Sequence, residues 1–208
     1  MYLFFDTETT GMYNFKSTHD DPAQPHIVQL AACLVDKIGN VRGSMNMIVK
    51  PPIPIPEGAS AVHGITDEIA EHYGFELDEA LDVFWKLEAR AETLVAHNVN
   101  FDRKMLRSAF HRADMHNSFD AFSRAKTFCT MQATTPILKL PGHRGYKWPR
   151  LEEAYSHFFD EPLEGAHDAM IDVMACKDVF FALKATETTE RVLQSAALRS
   201  VREQEGDD

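Results

Sequence analysis

The chain has 208 residues, of which 44% are hydrophobic and 25% charged, and this fits one globular domain or one domain with an appended helix. Its formal net charge of −11 argues against a broad basic surface that grips long duplexes. No apolar run is long enough to span a bilayer, and the N-terminus meets an acid at once, so we expect neither a signal peptide nor a membrane partner.

The first part of the chain reads as strands and loops. Three apolar runs of strand-forming residue types predict a meander: residues 2–5, 27–35 and 45–49. The polar stretch 11–25 predicts a long loop, and Gly39-Asn40 is a hairpin turn signal between the second and third strands. The prolines of residues 51–56 favour an extended segment because proline fixes φ and lacks a backbone donor.

The rest of the chain alternates between strand and helix patterns. Thr66 or Asp67 is expected to cap a short helix and Asp78 a longer one. Short apolar runs predict strands over 93–96 and 125–129. Apolar residues at helical spacing predict three further helices, at 101–113, 151–159 and 166–183. This order predicts an α/β fold in which helices flank a mixed sheet.

Residues 1–185 are expected to form this domain, and residues 186–208 a weakly helical tail with a frayed end. The three cysteines form no Cys-x-x-Cys pair, which predicts reduced thiols in a cytoplasmic protein: Cys33, Cys129 and Cys176. Two histidine pairs lack a partner pair at zinc-finger spacing: His111 with His116, and His19 with His26.

Asp6 and Glu8 directly follow the first predicted strand. Carboxylates two positions apart on a strand point to the same side, and Mg²⁺ prefers such oxygen ligands. In a chain with 32 acids, pairs at this spacing arise by chance about five times, so the pair alone is a weak signal. The turn Thr9-Thr10-Gly11 strengthens it, because a backbone with glycine can approach a ligand closely.

Two later segments carry further acids. Asp102 falls in the first turn of a predicted helix, where attraction to the helix dipole explains an acid equally well. His167 and Asp172 would lie roughly 140° apart on a regular helix, so we expect His167 on the preceding loop or first turn. Asp172 lies among apolar residues, where an acid is costly unless it is paired or bound to a metal.

Together these segments resemble the three motifs of the DEDDh (DnaQ-like) 3′→5′ exonuclease superfamily, which includes the proofreading epsilon subunit of bacterial replicative DNA polymerases. The matching residues come in the family's order: Asp6 and Glu8, then Asp102, then His167 and Asp172. Residues 61–66 also resemble a family segment, and the similarity extends from about residue 1 to 183. The resemblance implies a ribonuclease H-like sheet, two divalent metals and hydrolysis from a 3′ end.

The chain departs from the family pattern in two places. The loop 12–25 is longer than the hairpin of the epsilon subunit. Glu57 lies one position further from the His63-Gly64 pair than its counterpart does, so no binding role is assigned to Glu57.

The resemblance implies two Mg²⁺ ions, with Mn²⁺ as a substitute, and two-metal chemistry places such ions about 3.5–4 Å apart around the scissile phosphate. Asp6 is expected to bridge them, and Glu8 and Asp172 to complete the site of the attacking water. Asp102 is expected to support the second metal, directly or through water. His167 suits a general base, because imidazole titrates near neutral pH.

Substrate contacts follow from the same resemblance. Thr9 and Met12 are implied to cradle the terminal nucleotide, although simple packing explains Met12 equally well, and His63 is a further candidate. Residues 141–150 mix cations and aromatics as single-strand binders do, although a solvated basic loop is the simpler account.

The sequence therefore predicts an exonuclease that shortens single-stranded or frayed DNA from the 3′ end. Its expected partners are nucleic acid 3′ ends and a DNA polymerase or another replication or repair protein. Two alternatives stay open: an exoribonuclease that trims RNA ends, and a non-catalytic binding module of the same fold. The presence of all five motif residues favours the enzyme over the binding module.

Overall fold

A five-stranded mixed sheet forms the centre of the computed structural model, which describes the backbone of residues 1–205 and the side chains of residues 1–186 and 189. The strands are β1 (Tyr2–Thr9), β2 (Ile27–Val35), β3 (Val41–Ile48), β4 (Thr93–Ala96) and β5 (Thr127–Cys129). Across the sheet their order is β3-β2-β1-β4-β5. The first three strands pair antiparallel, and β1, β4 and β5 pair parallel, which confirms the predicted ribonuclease H-like mixed sheet.

Helices flank the sheet on both faces. They are α1 (Glu57–His63), α2 (Asp67–Tyr73), α3 (Leu77–Glu88), α4 (Val99–Arg112), α5 (His116–Arg124), α6 (Thr130–Leu138), α7 (Leu151–Phe159) and α8 (Ala169–Glu205). A small hairpin, β6 (Pro141–Gly142) and β7 (Gly145–Tyr146), joins α6 to α7. Among the described helices, none is both long enough and apolar enough to cross a membrane.

The alternation of side chains along β1 decides where its acids lie. Leu3 and Phe5 pack into the core beneath α3 and α4, whereas Phe4 packs against α8, with its ring centroid 5.3 Å from that of Phe180. Because strand side chains alternate, Asp6 and Glu8 share the α8 face with Phe4. β1 thus directs both carboxylates towards the helix that carries Asp172.

Several predicted boundaries are corrected by the structure. β1 does not end before Asp6 but runs to Thr9, because β2 pairs with it as far as Ile27. β3 begins at Val41 rather than at residue 45, since the hairpin ladder starts directly after the turn. The prediction that Asp78 caps α3 was wrong: Glu76 is the N-cap, and its backbone N–H donates to Glu79 Oε2 at 3.1 Å.

Other predictions hold or are extended. Thr66 caps α2 by accepting the backbone N–H of Ile69 at 3.3 Å, which confirms one of the two predicted alternatives. The helix predicted over 166–183 begins at Ala169 and continues to Glu205 as one helix. A domain boundary at residue 185 therefore stays a prediction, and the expected frayed end at 206–208 lies outside the described residues.

Candidate active site

Four carboxylates from three segments of the chain meet at one end of the sheet. β1 supplies Asp6 and Glu8, the first turn of α4 supplies Asp102, and the first turn of α8 supplies Asp172. β1 and β4 are parallel neighbours, so the turn that follows β4 delivers α4 to the end of β1 where the acids lie. The structure thus brings together all four acids that the sequence singled out.

Burial and mutual repulsion change the acidity of this group. Desolvation first, and then the neighbouring carboxylates, raise the pKa of Glu8 to about 8 and hold the pKa of Asp6 well above its usual range. Desolvation also raises the pKa of Asp102 to about 7 and that of Asp172 to about 6. A cluster that resists ionisation so strongly is stabilised in its charged form by a bound cation.

The donor set fits a divalent cation. Asp172 Oδ2 accepts the backbone N–H of His167 at 3.1 Å, but Asp172 Oδ1 is buried and has no hydrogen-bond partner. Glu8, His167 and Asp172 each offer a ligand atom, and these atoms lie within 4.8 Å of one another. Carboxylate oxygens are the ligands that Mg²⁺ and Mn²⁺ take from proteins, so the orphaned oxygen of Asp172 suits a metal.

His167 lies on the loop directly before α8, as the five-residue spacing to Asp172 predicted. Its φ is +71°, a left-handed conformation that costs a non-glycine residue roughly 1–2 kcal/mol. Gly165, two residues earlier, also has a left-handed backbone, with φ +73°, a conformation that favours glycine. The loop places an exposed imidazole at the edge of the carboxylates.

Thr7 is a part of the site that sequence reasoning missed. Its backbone N–H and its hydroxyl both donate to Asp102 Oδ1, at 3.1 and 2.8 Å. Asp102 is only 3% exposed, and its burial raises its pKa. The two bonds from Thr7 favour the ionised carboxylate and so act in the opposite direction. The alternation of β1 was the available signal, because it turns Thr7 away from Asp6 and towards α4.

Gln29 is a second residue that the sequence did not reveal. It is buried on β2, and its Nε2 donates to Asn46 Oδ1 at 2.9 Å and to Asp168 Oδ2 at 3.3 Å. Its Oε1 accepts the backbone N–H of Ala169 at 3.2 Å. Asp168 in turn accepts two N–H bonds from the first turn of α8. Gln29 thus ties the start of α8 to the sheet. It thereby also fixes the positions of the residues just before and just after the start of this helix.

Replacing Gln29 with leucine should lower kcat about 10- to 100-fold, the usual effect of losing a group that orients site residues. KM should change little, because no contact with the substrate is removed. Steady-state kinetics and thermal unfolding test this. The control is Thr134→Val, which removes a buried hydroxyl bonded to the Thr130 carbonyl at 2.8 Å. Equal losses of rate in the two variants would reduce the role of Gln29 to general stability.

A cavity of about 490 Å³ opens beside Glu8. The turn after β1 forms one wall with Thr9 and Met12, and α1 forms the other with His63, so all three predicted substrate residues line one space. Met12 is 81% exposed, which rules out packing as the reason for its position. Phe101 also lines the cavity and was not predicted, although it stands next to Asp102 in the sequence.

His63 presents an unused hydrogen-bond donor in this cavity. Its Nδ1 accepts the backbone N–H of Ile65 at 3.1 Å, and burial lowers its pKa, so the ring is neutral with its proton on Nε2. Nε2 is buried and without a hydrogen-bond partner; the nearby Thr9 backbone favours the charged ring but forms no bond of normal geometry. The geometry suits a ring that donates to a bound ligand.

The model of the exonuclease family RNase_T matches residues 3–180 of the chain. The chain is 30% identical over 186 residues to the uncharacterised exonuclease CP81 of Escherichia phage 186, with 87% of each chain covered. It is 25% identical over 191 residues to the DNA polymerase III subunit epsilon of Pasteurella multocida, covering 90% of this chain and 69% of that one.

Among solved structures, the fold is similar to that of E. coli Exonuclease I in complex with a dA16 oligonucleotide, with a TM-score of 0.69 and 24% identity. That match covers 88% of this chain and 40% of Exonuclease I. The chain spans only 7% to 29% of the length of six other relatives.

Proposed function

Because the chain belongs to the exonuclease family RNase_T, we propose that it removes nucleotides one at a time from the 3′ end of single-stranded or frayed DNA. Its membership confirms the predicted resemblance and makes the protein an exonuclease. The observation that carries the proposal is the convergence of Asp6, Glu8, Asp102 and Asp172 beside a cavity of about 490 Å³, within the range of small-ligand sites.

Divalent metal ions serve this family, and we propose Mg²⁺, two per site, with Mn²⁺ as a substitute. Asp6, Glu8, Asp102 and Asp172 would hold them. When bound, such ions neutralise charge at the phosphate and make coordinated water more acidic. Asp6 would be the central ligand of this group, because each of the other three acids raises its pKa. Asp102 would be a further ligand, and Thr7 orients its carboxylate.

His167 accepts the proton of the attacking water in this proposal. Its ring is exposed, so it passes the proton on to solvent between turnovers. Thr9 and Met12 cradle the terminal nucleotide in the cavity, and His63 Nε2 donates to it. The left-handed backbone at His167 limits the positions that the imidazole takes.

DNA is the proposed substrate because one relative is a DNA polymerase III subunit, and a similar structure, that of Exonuclease I, was solved with dA16. On the same ground we propose a DNA polymerase, or another replication or repair protein, as a partner. The cavity has a size that suits the terminal nucleotide, and binding at a strand end is in keeping with a chain whose net charge is −11.

Digestion of a 5′-labelled DNA oligonucleotide tests this function. In Mg²⁺ or Mn²⁺ the labelled strand should shorten as a ladder and release mononucleotides, whereas a chelator should stop the reaction. A closed circular single strand is the control and should survive. An RNA strand of the same sequence measures the preference between sugars. Full turnover in chelator, or rapid cutting of the circle, would refute a metal-dependent 3′→5′ exonuclease.

A further inference from the structure

A basic hairpin, defined as residues 139–150, projects between α6 and α7. Its two short strands pair Pro141 with Tyr146 and Gly142 with Gly145. Gly145 has φ +114°, and a Cβ on Gly142 would lie 2.9 Å from the Lys147 backbone nitrogen. The two glycines therefore permit a tight turn that larger residues would strain. The hairpin is a built feature of the fold rather than an irregular loop.

The charge of the basic hairpin opposes that of the rest of the chain. It contains no acid, and its cationic residues are Lys139, Arg144, Lys147 and Arg150, in a protein with a net charge of −11. Lys147 Nζ pairs with Glu153 Oε1 at 2.6 Å, which fastens the base of the hairpin to α7. Within the described part of the chain, Lys139 and Arg144 form no ion pair, so their charges face solvent.

Two large aromatic side chains stand on the same hairpin without a place in the core. Tyr146 is 55% exposed and Trp148 is 66% exposed. They are two positions apart, and the hairpin ladder extends past Tyr146 through the bond from the Lys147 N–H to the Leu140 carbonyl at 2.9 Å. Trp148 is the next residue along the chain, so both exposed rings lie on this one short segment. Exposed rings interleaved with cations form the surface on which single-stranded bases stack.

The C-terminal end of the basic hairpin lies next to the carboxylate site. His97, directly before the turn that starts α4, contacts the Pro149 carbonyl through Nε2 at 3.0 Å. The helix that follows the hairpin, α7, packs on α8, with Ala154 and Val179 in one buried cluster. A strand whose 3′ end occupies the carboxylate site therefore has the hairpin within reach.

We propose that the basic hairpin binds the single-stranded segment upstream of the 3′ end that is being hydrolysed. Arg144 and Lys139 contact its phosphates, and Tyr146 and Trp148 stack on its bases. The identity of this strand rests on the proposed function. Charge selects the occupant: a polyanion is repelled by an acidic surface and attracted to this cationic segment. Stacking and phosphate contacts do not read the sugar, so RNA should bind there as well.

Fluorescence anisotropy of a 5′-labelled DNA strand, measured with the full chain in chelator, tests the proposal without hydrolysis. Trp148→Ala and Tyr146→Ala should each raise Kd roughly 5- to 150-fold, the range for loss of one stacked base. Trp148→Phe should retain most of the affinity, since it keeps a ring. Arg144→Gln should reduce the slope of log K against log salt by about 0.7, the value for one phosphate contact to a single strand.

Tyr73→Ala and Lys86→Ala are the matched controls, because they remove an exposed ring on α2 and an exposed cation on α3. Both should leave Kd and the salt slope unchanged. Equal affinity in the hairpin variants and the unchanged chain would overturn the proposal, as would losses of the same size in the controls. Since no hydrolysis is measured, failure of the exonuclease proposal would appear only in the digestion assay.

Discussion

Asp6→Asn should leave almost no turnover, a larger loss than the roughly 10²–10⁴-fold typical of removing a general base. The substitution keeps the size of the side chain but removes a negative charge from the centre of the carboxylate group. Asparagine is a poor ligand for Mg²⁺ and Mn²⁺ compared with a carboxylate, so metal affinity should fall together with the rate. Turnover and calorimetric titration with Mn²⁺ measure the two losses separately.

The same substitution should make the metal-free protein more stable. Burial and the neighbouring acids raise the pKa of Asp6, and that of Glu8 to about 8, above unfolded values of about 4. When folding raises the pKa of a carboxyl group, the group leaves the free energy of unfolding unchanged at a pH below its pKa in the unfolded chain. As the pH rises from there towards the pKa in the folded protein, the group lowers the free energy of unfolding. The gain from Asp6→Asn should therefore be absent at about pH 4 and grow as pH rises towards the raised pKa values of these carboxyl groups in the folded protein.

Thermal unfolding in chelator across this pH range measures the gain, at about 2–4 °C for each kcal/mol of repulsion removed. Asp82→Asn, at an exposed position on α3, is the control and should show no such pH dependence. Added Mn²⁺ should stabilise the unchanged chain and the control but not Asp6→Asn. A metal-free Asp6→Asn protein that unfolds earlier than the unchanged chain would contradict the repulsion that the geometry implies.

Local pattern was enough for the elements that lie wholly in strong apolar runs. The strands over 27–35 and 93–96 and the helix over 151–159 have the predicted bounds. The end of β1 was missed because an acid normally terminates a strand pattern, whereas here pairing with β2 continues through Asp6 and Glu8. The discrepancy falls on residues of the candidate active site, since an acid inside a strand is tolerated where a cation compensates its charge.

The short helices depended on tertiary contacts. α5 has nine residues and was not predicted; Phe122 secures it, with its ring centroid 6.0 Å from that of Phe84 and 5.5 Å from that of Phe110. α6 contains Pro136, which reads as a helix breaker in the sequence. α1 begins after Pro56 and buries none of its residues, so it left no apolar periodicity to find. Helices this short are marginal without packing.

The acids of the site could be found from motif spacing, but the residues that support them could not. Thr7 bonds to Asp102 across 95 residues of sequence, and Gln29 bonds to Asp168 across 139. Neither residue type is unusual in a strand, and each acquires its role only when β1, β2 and the two helices assemble. Asp168 was not predicted either, although an aspartate directly before an apolar helix is a capping signal.

His167→Asn should lower the rate about 10²–10⁴-fold while metal affinity is retained, if the imidazole acts as a general base. The experiment decides between two roles, because a ring nitrogen of His167 lies within 4.8 Å of ligand atoms of Glu8 and Asp172. At that distance the imidazole could also bind the metal. Asparagine is chosen because it tolerates a left-handed backbone better than alanine does, and His167 has φ +71°. His157→Asn, at an exposed position on α7, is the surface control.

The pH dependence separates the two roles of the ring. At saturating Mn²⁺, His167→Asn should regain part of its rate at higher pH, where hydroxide replaces the water that the imidazole assists in the unchanged enzyme. His167→Ala should behave the same way but unfold earlier, since alanine pays more for the left-handed backbone. If His167→Asn loses Mn²⁺ affinity as completely as Asp6→Asn does, the ring is a ligand; if it keeps full activity at neutral pH, the base lies elsewhere.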